Sequence, residues 1–202
     1  MNRFVLPVGA PRAERADAVR NRLLLLSTAR ELIAEHGVEK LTMDGLAERS
    51  GLGKGTVFRR FGSRAGIFQA LLDDDERALQ EQVLSGPPPL GPGAGPVERL
   101  VAYGRTRIDF QLRHYAVARA ALDGSRPVPA GEGTISRVHI RMLLGQAELH
   151  GADLDMLAVQ LTAALEGPFL LYLTASTEEE PTDHVERMAQ AWQDLVERVC
   201  RS

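Results

Sequence analysis

Cysteine is almost missing from this chain of 202 residues: its one thiol, Cys200, cannot close an intrachain disulfide, which fits a reducing compartment. No long uninterrupted apolar run is present either. The nearest approach is Leu154 to Ala175, broken by Gln160, Glu166 and the pair Gly167-Pro168. A carboxylate near a bilayer midplane costs roughly 2.5–3.5 kcal/mol on insertion scales, so a helix buried on several sides inside protein is the better reading, and no membrane partner is expected. Met1 to Ala10 has one Arg and no long apolar run, so no signal peptide is expected and the predicted location is cytoplasmic. Alternating strand patterns of useful length and internal repeats are lacking, which leaves an all-α chain.

The usual marks of catalysis are absent as well. No two of His36, His114, His139, His150 and His184 lie three or four residues apart, so a helical metal site has no support. No phosphate loop, nucleophile elbow or paired-cysteine motif occurs. Cys200 reads as inert. The expectation is therefore no catalytic residue, no metal and no cofactor; a helical enzyme and a protein-only adaptor are the rival readings to a nucleic-acid binder.

Overall charge, −3, gives no hint of a polyanion, but its distribution does. Residues 1–64 carry 12 Lys+Arg against 7 Asp+Glu, whereas residues 65–202 carry 12 against 20. A basic head that meets a polyanion and an acidic body that does not would produce this asymmetry; so would two unrelated solvated surfaces.

Length permits one medium domain or two small ones, and 44% hydrophobic residues permit a proper core. Residues 1–15 mix Pro, Gly and Arg and read as an arm. Leu25, Leu26, Ala29, Leu32 and Ile33 then recur at helical spacing over about Ala16 to His36, with Gly37 placed to stop the helix. Thr42 is placed to cap a short helix from Met43 to Ser50, Gly51 permits a tight turn, and a second short helix starts at Lys54. Ser63 is placed to cap a helix to about Leu84. The Pro- and Gly-rich run from Ser85 to Pro96 cannot be helical. Further helices are predicted over about 97–122, 134–150, 153–176 (bent at Pro168) and 182–200, with a loop at 123–133.

The segment Leu41 to Leu72 reads LTMDGLAERSGLGKGTVFRRFGSRAGIFQALL. Two short helices joined by a glycine turn make a helix-turn-helix, whose second helix fits a major groove about 12 Å wide. Leu46, Ala47, Leu52, Val57 and Phe61 occupy the positions that need apolar contacts. Lys54, Gly55, Thr56, Phe58, Arg59 and Arg60 are left for the outer face.

Over about Ala16 to Leu72 the sequence resembles the TetR family of one-component bacterial regulators. The elements that carry the likeness are Gly37 ending the first helix, Thr42 opening the second, Lys54-Gly55-Thr56-Val57-Phe58-Arg59-Arg60-Phe61 in the recognition helix, and Ser63-Arg64 opening the fourth. The resemblance implies an N-terminal three-helix head over 16–63 and a C-terminal helical ligand-binding and dimerisation domain over 64–202, linked by helix 64–84. Departures from the family's pattern are Gly53 for a frequent serine, Phe58 for tyrosine, Arg64 for lysine, and Ala65-Gly66 for the frequent Glu-Ala, which weakens the start of the fourth helix. By resemblance, Thr42, Lys54, Thr56, Phe58 and Arg64 meet phosphates of double-stranded operator DNA. Arg59 and Arg60 are the candidates for base edges; Arg3, Arg12 and Arg15 could enter a minor groove as an arm does, with ordinary disorder the preferred reading for them. The alternative for the basic run is a solvated helix face, and for Phe58 a place in the core.

In helix 97–122, Val97, Val101, Gly104, Ile108, Leu112 and Tyr115 form one stripe, while Tyr103, Arg107, Phe110, His114, Val117 and Ala121 form another. A second stripe of aromatics threaded with polar groups suits a small-molecule pocket; a packed core with Arg107 and His114 reaching outward suits it equally. The candidate ligand-binding set is Tyr103, Arg107, Phe110, His114, Met142, Glu166 and Phe169, with Met156 and Tyr172 as weaker additions. The last two helices resemble the family's dimerisation pair, so a homodimer that reads a palindrome and is released by a small-molecule effector is expected.

Overall fold

The computed structural model describes residues 12–122, 133–149, 151–174 and 185–201, without the side chains of residues 12–15, 133–134 and 170–174. Arg3 and most of the expected arm, the side chains of Arg12, Arg15 and Tyr172, and most of the loop predicted at 123–133 lie outside the described residues. Nine α-helices and no strands occur among the described residues, where the sequence predicts eight helices and the all-α class. The chain divides into two compact units, Met1–Leu71 and Leu72–Ser202.

The head is made of α1 (Arg12–His36), a 3-10 turn (Val38–Lys40), α2 (Met43–Ser50), α3 (Lys54–Phe61) and the opening turns of α4 (Arg64–Ser85). Helix α1 starts four residues earlier than its periodicity suggests. Its Leu25, Leu26 and Ala29 are fully buried, as are Leu41, Leu46, Val57, Ile67 and Phe68. Each of the Leu, Val, Ile and Phe side chains contributes roughly 1.5–3 kcal/mol by leaving water, which is how the helices of the head hold together. The ends are set locally. Thr42 caps α2, its Oγ1 accepting from the Gly45 N–H at 3.0 Å. Gly51 ends α2 in the left-handed region at φ 70°. Ser63 Oγ accepts from the Gly66 N–H at 3.1 Å at the start of α4.

The body holds the rest of α4, then α5 (Pro96–Arg113), α6 (Tyr115–Ala121), α7 (Gly133–Gln146), α8 (Leu154–Thr174) and α9 (Val185–Val199). Helix α5 is its spine, packing against α7, α8 and α9. Leu79, Val83, Leu100, Ile108, Ile140, Leu143, Leu144, Leu161, Leu165, Trp192 and Val196 form one apolar cluster. Helix α9 meets α5 at Gly104, where a β-carbon would come within 1.9 Å of Trp192 Nε1. The indole N–H donates to the Leu100 carbonyl at 3.1 Å, so a close approach of two helices also satisfies a buried donor.

One predicted helix is divided. The single helix expected over 97–122 is two, because His114 leaves helical geometry at φ −97° and ψ 6°. Helix α8 runs through Pro168 as the single helix expected there, although proline removes one helical hydrogen bond. No helix among the described residues is long and apolar enough to cross a membrane.

Candidate functional site

In the head, the short α3 turns one side inward and the other to solvent. Val57 is buried and Thr56 half-buried, whereas Lys54, Gly55, Phe58, Arg59 and Arg60 are exposed. Phe58 decides between its two readings: at 64% exposure it is not core. Left in water on a basic helix, it contributes little to the burial that holds the head together. Lys54 Nζ lies 2.9 Å from Asp44 Oδ2, with both side chains largely solvated, so the pair is readily exchanged for a stronger anion.

The arginines divide into separate roles. Arg59 reaches only back to Thr56 Oγ1, at 3.5 Å, among the described residues. Arg60 donates through Nη2 to the Ala18 carbonyl of α1 at 2.9 Å and remains exposed. Arg64 is turned inward. Its Nε donates to the Leu41 carbonyl at 2.7 Å and Nη2 to the Val38 carbonyl at 2.8 Å. Its guanidinium also lies 5.0 Å from the Phe68 ring centroid. Arg64 therefore closes the turn that presents Thr42, a role the sequence does not announce. Thr42 spends one oxygen lone pair on the α2 cap and keeps its hydroxyl proton for another acceptor.

The body gathers most of the polar groups of the second α5 stripe into one network. Tyr103 Oη donates to Ser136 Oγ at 2.8 Å, and Ser136 Oγ donates to Glu166 Oε1 at 2.9 Å. Glu166 Oε1 lies 3.5 Å from Arg107 Nη2, and Arg107 Nη1 donates to Glu76 Oε2. Burial works against the charge of Arg107, but Glu76 and Glu166 outweigh it and hold its pKa above the ordinary value. Burial pushes the Tyr103 hydroxyl up. His114 Nε2 sits 3.1 Å from Asp75 Oδ2, with its ring 4.2 Å from that of Phe110. Beside Tyr103 lies His139, ring centroids 4.8 Å apart; its pKa is lowered to about 4 by burial, with Arg99 adding to the effect.

A separate cavity of about 220 Å³ opens between α5, α8 and α9, on the side of the first α5 stripe. Ile108, Gln111, Leu112, Leu165, Phe169 and Trp192 are among its walls. Of the seven candidate ligand residues, only Phe169 lines it. Tyr103, Arg107, Phe110, His114 and Glu166 belong to or adjoin the network instead. Met142 stands on α7 at 41% exposure, and Met156 on α8 at 53%. Gln111 and Trp192 were not legible as site residues, although Ile108 and Leu112 of the first stripe bracket Gln111 on the same helix.

Comparison with known proteins bears on this arrangement. Residues 25–71 match the family described as bacterial regulatory proteins, tetR family. The HTH-type transcriptional repressor AcnR of Corynebacterium efficiens is 37% identical over 65 residues, covering 32% of this chain and 35% of that protein. The HTH-type transcriptional regulator SAB2452 of Staphylococcus aureus is 36% identical over 53 residues, 26% of this chain and 29% of that one. This chain thus spans about a third of the length of the curated relatives it matches. Among solved structures, a TetR-family transcriptional regulator from Pectobacterium atrosepticum superposes with a TM-score of 0.68 at 19% identity, covering 92% of this chain and 95% of that one. A TetR/AcrR-family regulator from Thermobifida fusca gives 0.58 at 19% identity, covering 87% and 97%. The expected tetR-type head and the all-helical fold are both borne out.

Proposed function

We propose that this chain, whose head is a tetR-family helix-turn-helix on a tetR-family fold, is a homodimeric cytoplasmic transcriptional repressor that leaves a palindromic operator when a small molecule binds its body. The observation that carries this reading is the outward face of α3: Lys54, Phe58, Arg59 and Arg60 stand exposed on a helix anchored from behind by Val57. Such a helix can lie in a major groove, with Arg59 and Arg60 toward base edges and Lys54, Thr56 and Phe58 toward phosphates. Gly55 lets the backbone come close, since nothing lies within 4 Å of where its β-carbon would be. Thr42 donates its hydroxyl to a phosphate, while Arg64 holds the turn beneath it.

A palindrome requires two heads about one helical turn, roughly 34–36 Å, apart, hence two copies. Val138 and Met142 on α7, Met156 and Val159 on α8, and Leu195 on α9 are large apolar residues left exposed in one copy, and a second copy has reason to cover them. Helix α4 begins in the head and ends among Leu79 and Val83 of the body core, so a ligand with different affinities for two body packings has a covalent route to the head. No residue is assigned a catalytic role.

The test is a salt titration against a fragment of the chain's own upstream region. Logarithmic affinity is expected to fall linearly with logarithmic salt, at about 0.9 per phosphate neutralised. A flat response overturns the reading. Arg60→Ala is expected to lower operator affinity by about 1–3 kcal/mol and non-specific affinity by much less. Equal losses would demote Arg60 to a phosphate contact.

A further inference from the structure

We infer that the cavity between α5, α8 and α9 takes an electrically neutral, mostly apolar molecule that carries one group able to hydrogen-bond a carboxamide, and that Gln111 reads that group. The inference deepens the effector half of the proposed function and rests on it only for the effect of binding on the head.

Three observations carry it. The first is Gln111, a side chain only 5% exposed that lines the cavity and makes no hydrogen bond among the described residues. A carboxamide offers two N–H donors and a carbonyl acceptor. Its carboxamide atoms are not among the fully buried, unpartnered ones, so they face the cavity, where a complementary ligand group can bond them. The second is what surrounds it. Ile108, Leu112, Leu165, Pro168, Phe169 and Met188 are apolar, and the Trp192 N–H is engaged by the Leu100 carbonyl. No ionisable side chain is among the described lining residues. In the second α5 stripe the charges are spoken for: Arg107 is bracketed by Glu76 and Glu166, and His114 by Asp75. A charged ligand would lose its hydration and find no counter-ion. The third is size. About 220 Å³ lies below the roughly 300–1,000 Å³ of sites for drug-sized ligands, so a single ring or a short chain fits and a fused polycycle does not.

The site carries its own reporter, because Trp192 is the only tryptophan of the chain and forms part of the wall. Benzamide, benzoate and benzamidinium share one shape and differ in charge, and each is titrated against the full chain without DNA while Trp192 emission is followed. Benzamide is expected to change the emission saturably, and the two ions to bind at least about tenfold more weakly. Gln111→Leu is expected to weaken benzamide by about tenfold or more, the loss of one well-made buried hydrogen bond. Gln111→Glu is expected to move the preference to benzamidinium, which keeps the inference open to refutation if the leucine variant fails to fold. Equal binding of the three probes, an unchanged preference in Gln111→Glu, or no saturable change with any probe overturns it; in the last case the cavity is filled by a second copy or by nothing. Operator binding is measured separately by the salt titration, so failure of one reading is not mistaken for failure of the other.

Discussion

Single residues in this chain often do something other than their type suggests, and Arg64 is the clearest instance. The family resemblance places it with the phosphate contacts; its guanidinium instead ties the carbonyls of Val38 and Leu41 and lies against Phe68. Two charge-assisted hydrogen bonds of ordinary strength suggest roughly 1.5–3 kcal/mol each, discounted here because the side chain is 37% exposed. Arg64→Ala is thus expected to lower the melting temperature of the head as well as operator affinity, whereas Arg59→Ala lowers affinity alone. Thermal unfolding followed by circular dichroism separates the two, and an unchanged melting temperature for Arg64→Ala would return it to the phosphate contacts. His139 supplies a second residue-scale test. With its folded pKa lowered to about 4 from 6.5, the unfolded chain takes up a proton between those values that the folded chain refuses. Stability is expected to fall as pH drops through that window and to be level above it, as far as His139 is concerned. His139→Phe keeps a ring against Tyr103 and removes the titration, so its unfolding midpoint is expected to depend less steeply on pH between 4 and 6.5. Parallel profiles for the two proteins would show that other groups set the slope.

At the scale of elements, what could be read in advance was local. Thr42, Gly51 and Ser63 mark helix ends through bonds spanning three residues or a single backbone angle, and all three sit where their chemistry indicates. The body's surprises come from contacts far apart in the chain. Arg107 meets Glu76 and Glu166, 31 and 59 positions away, and no pattern within α5 discloses either partner. The break at His114 is of the same kind: its ring faces both the Phe110 carbonyl, at 2.7 Å, and Asp75 of α4, at 3.1 Å. Gly66 shows how a local rule misleads. Helix propensity ranks alanine about 1 kcal/mol above glycine, so Gly66 looks like a flaw in α4. A β-carbon there would fall 1.9 Å from the carbonyl oxygen of Phe61, the last residue of the recognition helix. Gly66→Ala is accordingly expected to destabilise the head by about 1–3 kcal/mol rather than to stabilise it, as overpacking does. Urea denaturation decides the sign, and a gain in stability would mean that α4 shifts freely to make room.

For the molecule as a whole, the question is how one amphipathic α9 can serve two purposes. Ala189, Trp192 and Val196 are buried, Trp192 against α5, so most of its apolar face is already used within one copy. Leu195 is the large apolar residue it leaves exposed, while α7 and α8 leave Ile135, Val138, Met142, Met156 and Val159. Arg141 of α7 bonds Asp155 of α8 among these residues, and both side chains are more than half exposed. A two-fold axis through such a patch lets the arginine of each copy meet the aspartate of the other, which is what a self-complementary interface requires. If the proposed dimer is built on this surface, a buried charge on α8 should dissolve it. Val159→Glu is expected to give a monomer by light scattering, to retain its helical content, and to lose much of its operator affinity. The second head binds at the effective concentration set by the first, a gain of about 10²–10⁴ that a monomer forgoes. A dimeric Val159→Glu with full operator affinity would move the interface away from α8, and with it the route by which one copy senses the state of the other.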